Sequence, residues 1–292
     1  MKYNILFSVA AHESEESLID LIENVIKFIP NSFIIIHLKK GFTVNNIADK
    51  YPNICFNTTS FNTGYLDQSL TIVHSSNIYY AIDKGIDADF FAVLGSNELF
   101  VRKGLYNHIK NKHFIAYQTD ESDYHVRIAR RDKYFNAILK KIGGDLIKSP
   151  PEGAFYEFSI LKEKLNTPYV KEYIDKLSLY FTSSNKIIFR KIGGKVARLI
   201  LHFIPSLNFI IPSTIIRFAY AGEEIFFPTL MQFSTSTKDN SYCYIKWHEK
   251  LNIEINDIVD VSIGKYPEKY SVKRIKRNIS DPKRIWIKNK IN

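Results

Sequence analysis

The sequence predicts an α/β fold, a mixed and mostly parallel sheet flanked by helices, and three observations lead there. Continuous apolar runs recur early in the chain, "NILFSVA" at Asn4 to Ala10, "SFIIIHL" at Ser32 to Leu38 and "ADFFAVLG" at Ala88 to Gly95, as strands buried on both faces require. The stretches between them place apolar residues at helical spacing. Finally, 292 residues with 45% hydrophobic and 14% aromatic side chains can bury a large core within one domain.

After the first strand, Leu18, Leu21, Ile22, Val25 and Ile26 mark a helix whose N-cap is Ser14, with acids in its first turn and Pro30 ending it. The second strand completes a βαβ unit. "VAAHES" then carries neither G-x-G-x-x-G nor a Walker pattern, which argues against a dinucleotide enzyme or a P-loop ATPase. Leu66 to Lys84 gives a second helix closed by Gly85. The strand after it runs out into "SNELFVRKG", at a strand's C-terminal end, where α/β sheets bind ligands. Glu98 could coordinate a metal there, but a lone carboxylate beside Asn97 is a weak diphosphate–metal signal.

Further on, "YQTDESDYHVRIARR" (Tyr117 to Arg131) is a charged loop leading into a helix, open either to solvent or to ligand. "SPPEGAFYEFS" (Ser149 to Ser159) is a turn feeding a short aromatic strand, with Gly153 allowing close backbone approach. Asn185 to Tyr220 is basic and apolar at once. Lys191, Lys195 and Arg198 sit among Ile192, Val196, Leu199 and Ile200, which fits a helix lying on an anionic membrane and equally a core-facing helix with its lysines outward.

The formal charge of +10, from 40 Lys and Arg against 30 Asp and Glu, favours a polyanionic partner. Its densest part is Lys265 to Asn292. No helix-turn-helix, zinc-finger, RRM or KH pattern accompanies that charge, so nucleic acid is not the expected partner. Cys55 and Cys243, the two cysteines, form no C-x-x-C pair and are expected to be buried small hydrophobes in a reducing compartment. The opening residues hold too short an apolar run for a signal or a membrane span. A cytoplasmic protein is expected, peripheral at most at the inner face of the membrane.

Taken in order, several stretches resemble the core-2/I-branching family of glycosyltransferases (family 14-like): "ILFSVAAHESEESLIDLIENV" with "IIIHLKK", "DADFFAVLGSNELFVRKGLYNHI", "EGAFYEFSILKEKL", "AGEEIFFPTLMQ", "YIKWHEKL" and "SVKRIK". The correspondence covers nearly the whole chain. It implies a single GT-A-like domain over residues 1–264, with a basic apolar insertion at about 185–220, and a basic segment 265–292 that completes the donor site. It implies an inverting, metal-independent transfer from a nucleotide sugar, a UDP-sugar first, to a hydroxyl of a surface glycan such as capsule or lipopolysaccharide, free or lipid-linked. No cofactor is expected beyond the donor itself.

The residue roles follow from the same resemblance. Glu224 matches the family's general base; a carboxylate within hydrogen-bond reach of a sugar hydroxyl removes its proton as the new bond forms, although Glu223 and Glu224 could also merely complement a helix dipole. His12, Lys39, Glu98, Lys273, Arg274, Lys276 and Arg277 fall at the donor side, the cations taking the part of a metal beside the leaving diphosphate. Glu121, Arg127, Arg130, Glu152 and Trp247 fall at the acceptor side, the indole offering an apolar plate to a pyranose face. Lys39 stands where the family has an aspartate, and Glu98, Leu99 and Phe100 where it has an Asp-Tyr-Pro run. Both departures leave the donor base and sugar open. The alternative from another class is a non-catalytic protein that binds glycans or a membrane surface.

Overall fold

The structure is a computed structural model that describes residues 2–12, 14–45, 47–64, 66–112, 122–182, 184–204, 211–232, 243–248 and 251–290. The chain begins with β1 (Lys2–Ala11), α1 (Glu15–Phe28) and β2 (Ser32–Leu38). The Ser14 side chain accepts from the Ser17 N–H as the predicted cap. Next come α2 (Ile47–Lys50), β3 (Ile54–Asn57), α3 (Ser69–Asp83), β4 (Asp87–Leu94) and β5 (Glu98–Phe100). The middle of the chain is helical, with α4 (Leu105–Ile109), α5 (Tyr124–Ala129) and α6 (Lys133–Ile142) before the short strand β6 (Phe155–Glu157). Then follow α7 (Phe158–Leu165), α8 (Pro168–Thr182), α9 (Ser184–Phe203), α10 (Ser213–Ile216) and α11 (Glu223–Met231). The last elements are β7 (Ile245–Lys246), α12 (Ile255–Ser262), β8 (Ser271–Lys273) and α13 (Pro282–Lys290).

The fold is α/β. A five-stranded sheet runs in the order β3-β2-β1-β4-β6, parallel throughout except at β6, which pairs antiparallel with β4 through Phe91 and Tyr156. The three long apolar runs form its centre because strands covered on both faces have no polar side to display. Ile5, Phe7, Ile34, Ile36, Phe91 and Ala92 are all essentially inaccessible. α3 packs on β1 and β2, and α1 on β2 and β5.

A second, smaller sheet of order β5-β8-β7 joins parts of the chain far apart in sequence. Asn24 on α1 fixes its near strand: the side-chain amide donates to the Phe100 carbonyl (2.9 Å) and accepts from the Phe100 N–H (2.8 Å). Residues 265–290 of the basic segment are woven into this part of the molecule. β8 supplies the middle strand, and on α13 the buried Arg284 pairs with Asp20 and donates to the carbonyls of Lys276 and Ser96. Cys243 is buried, whereas Cys55 is only half-buried. Among the described residues no helix is long and apolar enough to cross a membrane.

Candidate active site

A cleft of about 1070 Å³ opens at the C-terminal edge of the parallel strands, the place where an open α/β sheet leaves a crevice between diverging connections. Ala10 and His12 bring in the end of β1, Lys39 follows β2, and Val93 to Asn97 are the end of β4 and the residues after it. The remaining wall comes from Lys148 to Glu152, the start of α11, the β7 end with Trp247, Lys273 at the end of β8 and Arg277 after it. His74 of α3 contributes to the lining. Its Nδ1 lies 2.7 Å from the Ser8 hydroxyl, and burial pushes the imidazole down to about 3, so the ring is a neutral part of the surface.

The start of α11 is set by local chemistry. Gly222 precedes it and faces α3 so closely that a Cβ would lie 2.6 Å from Thr71 Oγ1 and 2.7 Å from Gln68 Cγ. Gln68 cannot give way, since Tyr173 holds its amide oxygen and Asp132 its amide nitrogen. Only glycine therefore lets the helix seat at this depth. Six residues into the chain from Gly222 stands Pro228, which has no N–H to offer the carbonyl four residues back. That carbonyl belongs to Glu224, and it accepts instead from the Ser149 N–H at 2.9 Å. Thr229 and Gln232 continue the seam, binding Ile147 and the Asp145 N–H. The missing helical bond thus draws Lys148 alongside Glu224.

Glu224 lines the cleft, mostly buried, with Oε2 3.4 Å from Lys148 Nζ. Lys148 also reaches Asp123 Oδ2 at 2.5 Å. Burial pushes the Glu224 carboxyl above its ordinary value; Lys148 pulls it back, and the negative charges of Glu152 and Asp123 push it further up. Lys148 itself is disfavoured as a cation by burial, yet its two carboxylate partners raise it overall. Asp123 is held below the usual range because Lys148 and the N–H of Val126 outweigh its burial. The neighbouring Glu223 is 5% exposed, also lines the cleft, and its Oε2 has no hydrogen-bond partner among the described residues. Burial, then the charge of Glu224, drives its carboxyl well above the ordinary value.

On the other side of the chemistry, Lys273 Nζ pairs with Glu152 Oε2 at 2.7 Å and stands 6.0 Å from the Trp247 ring centre. Arg277 is exposed and donates through Nε to the Ser96 hydroxyl at 3.0 Å. Trp247 is 39% exposed, so it is a wall of the cleft and not a core residue. Gly153, at φ 83°, lets the turn carrying Glu152 approach β7: a Cβ there would sit 2.4 Å from Cys243 Sγ.

The structure therefore gathers seven of the residues singled out in the sequence, His12, Lys39, Glu152, Glu224, Trp247, Lys273 and Arg277, around one cavity. Five others lie elsewhere. Glu98, expected at the donor, is fully buried behind the wall, where the Ser271 hydroxyl donates to it at 2.7 Å; β5 is covered on both faces, so none of its side chains reaches the cleft. Arg274 does not line the cleft, its guanidinium lying 5.5 Å from the Trp247 ring, and Lys276 is solvent-facing with its carbonyl taken by Arg284. Arg127 and Arg130 sit on and just after α5 away from the lining, Arg130 paired with Asp145 at 2.8 Å. Glu121 lies outside the described residues. Sequence reasoning missed Lys148 and Asp123; Pro228, four residues after Glu224, is the signal that could have indicated a segment bound to the Glu224 carbonyl beside Lys148. Among the described residues no group of three or more His, Cys, Asp or Glu side chains is arranged to hold a metal ion.

No protein-family model matches this chain, and no curated protein matches it. Among solved structures, the crystal structure of S. aureus TarS is similar at 13% sequence identity with a TM-score of 0.33, over 68% of this chain and 40% of that one. The chain thus spans less than half the length of that protein. At such a distance the likeness adds nothing to the chemistry of the cleft.

Proposed function

We propose that this chain is an inverting glycosyltransferase of the GT-A kind that moves a sugar from a nucleotide-sugar donor, a UDP-sugar first, to a hydroxyl of a surface glycan such as a capsule or lipopolysaccharide unit. One observation carries the reading: Glu224, a half-compensated buried carboxylate, faces a large cleft at the C-terminal edge of a parallel sheet that also holds Lys273, Arg277 and Trp247. A general base needs a proton affinity raised towards the working pH without losing its ionised form. Burial supplies the first and Lys148 preserves the second.

In the reaction the acceptor hydroxyl gives its proton to Glu224 while its oxygen bonds to the anomeric carbon. The bond from that carbon to the diphosphate breaks, and the diphosphate leaves with the electron pair. Attack and departure on opposite faces invert the centre. Lys273 and Arg277 meet the charge that develops on the leaving group, so no metal ion is called on. His12 and Lys39, at the strand ends, are placed for the nucleotide, and Trp247 for an apolar sugar face. On this reading residues 1–264 form the transferase domain and 265–292 complete the donor site. The acceptor is lipid-linked and is met at the inner face of the membrane.

Glu224→Gln tests the assignment. Sugar transfer should fall at least about a thousandfold while donor binding, read by thermal stabilisation with a panel of nucleotide sugars, stays near the parent's. Turnover retained by the variant removes Glu224 from the role. A protein that binds glycans without transferring them would show no turnover with any donor in the panel.

A further inference from the structure

Helix α9 is apolar on two sides. Inward, Gly194, Ala197 and Leu201 pack on the body of the protein, and Gly194 comes so close that a Cβ would meet the Phe218 carbonyl oxygen at 2.3 Å. Outward, Phe189, Ile192, Val196, Leu199 and Phe203 follow at intervals of three and four residues, and they are 76%, 54%, 48%, 62% and 76% exposed. Single exposed apolar residues need no explanation. A continuous stripe of five along one helix face does, because a monomeric soluble surface rarely leaves such a patch to water.

The charge of this part of the chain says what covers the stripe. From Lys176 to Gly222 the chain contains no Asp or Glu, while α9 carries Lys186, Arg190, Lys191, Lys195 and Arg198. The three-four spacing would also suit a second α9. Two such helices would, however, bring cations together with no carboxylate on either to offset them. An anionic bilayer supplies both needs at once, acyl chains for the stripe and negative headgroups for the unbalanced positive charge of this acid-free stretch, with Lys195 exposed beside the stripe.

We propose that α9 is a membrane-docking helix, lying in the plane of an anionic lipid surface with Phe189 to Phe203 in the acyl boundary. The same helix grips the cleft rim. Lys191 Nζ donates to the carbonyls of Asn62 (3.1 Å) and Thr63 (3.0 Å), and Arg198 Nη1 to that of Leu66 (3.1 Å). Thr63, Gly64 and Leu66 line the cleft. A docked α9 therefore holds the cleft mouth beside the bilayer, where a lipid-borne hydroxyl can reach it. That last consequence rests on the transferase reading, but the docking itself does not.

Vesicle co-sedimentation of the full chain is the test, with phosphatidylcholine vesicles made with and without about 30% phosphatidylglycerol. The chain should bind the anionic vesicles at least about tenfold more tightly than the neutral ones, and the double variant Ile192→Ser, Leu199→Ser should lose about tenfold or more of that binding at an unchanged melting temperature. Phe203→Ser, at the exposed end of the helix, gives the second measurement should the double variant melt early. No binding by the parent chain, equal binding to both vesicles, or undiminished binding by the variants overturns the proposal. So does a parent dimer in lipid-free solution that the variants convert to monomer, which would assign the stripe to a second copy. Binding is read without donor or turnover, so its failure leaves the transferase reading standing, and inactivity of a donor panel leaves the docking standing.

Discussion

Replacing Glu98 with glutamine should change how stability responds to pH. Glu98 is inaccessible to solvent, with one hydrogen bond from Ser271 Oγ at 2.7 Å and a long contact from the Gly95 N–H at 3.5 Å. Burial pushes its carboxyl up to about 8; the charge of Glu152 acts in the same direction, while Ser271, Lys273 and Gly95 oppose it. The folded chain therefore keeps this proton over a pH range in which the unfolded chain, with an ordinary glutamate near 4.5, has released it. Stability from this group is complete below the unfolded value and is lost as pH rises through the folded one. The loss runs at about 1.4 kcal/mol per pH unit and accumulates to about 4 kcal/mol between pH 5 and pH 8.

Glutamine is the neutral form made permanent. Glu98→Gln should be close to the parent in stability at pH 5 and more stable by about 4 kcal/mol at pH 8. Urea unfolding at several pH values measures the difference directly, and taking the difference cancels the other titrating groups, among them the buried His37 and His125, both pushed down to about 4 by burial. Parallel pH profiles for the two proteins would refute the reasoning, because they would mean that Glu98 is ionised and paired in the native state. At pH 5, where both side chains are neutral, donor affinity should match the parent's, since the side chain does not reach the cleft.

Lys148→Met removes the cation that holds Glu224 ionisable, so the acid limb of the transfer-rate profile should move to higher pH, with several-fold more activity lost at pH 6 than at pH 8. Lys148→Arg should largely restore the profile, and an unmoved limb in the methionine variant would separate Lys148 from the base. Chelation with EDTA should leave turnover unchanged; a strict divalent-metal requirement, read by add-back titration, would show that Lys273 and Arg277 do not suffice for the leaving group.

The elements legible in the sequence were those fixed by neighbours along the chain. Three uninterrupted apolar runs could hardly be anything but central strands, and Ser14 marked the start of α1 because an N-cap is a contact three residues away. The small sheet was not legible. Its strands are two or three residues long, and Ser271 faces Phe100 and Ile245 only because the tertiary fold brings them together. Glu98 shows the same limit from the other side: its position just after a central strand suggested a ligand contact, but a further short strand turned the carboxylate inward. The amphipathic reading of α9 found the apolar residues and could not say which of two apolar faces was covered. Helical spacing identifies a face, and only packing decides whether that face is inside.

The two adjacent acids at the start of α11 look interchangeable in sequence, and the structure separates them. Glu223 is the more deeply enclosed, with an unpartnered Oε2 and a negative neighbour, so it is the later of the two to ionise. Glu224 is buried too, but Lys148 reaches it, because the carbonyl freed by Pro228 ties the Lys148 segment to the helix. Unlike environments imposed on like groups are what divide acid from base in an active site. A carboxylate that keeps its proton cannot accept another, and the proposed base must therefore be Glu224. Glu223→Gln, which fixes the neutral form, should retain transfer within about tenfold of the parent, whereas Glu224→Gln should lose at least about a thousandfold. If the glutamine at 223 were the inactivating change and the one at 224 were tolerated, the roles would be exchanged and Lys148 would be a structural tether only. The comparison is informative because both substitutions keep volume and hydrogen-bonding shape at two positions on the same helical turn, so a difference between them reports charge.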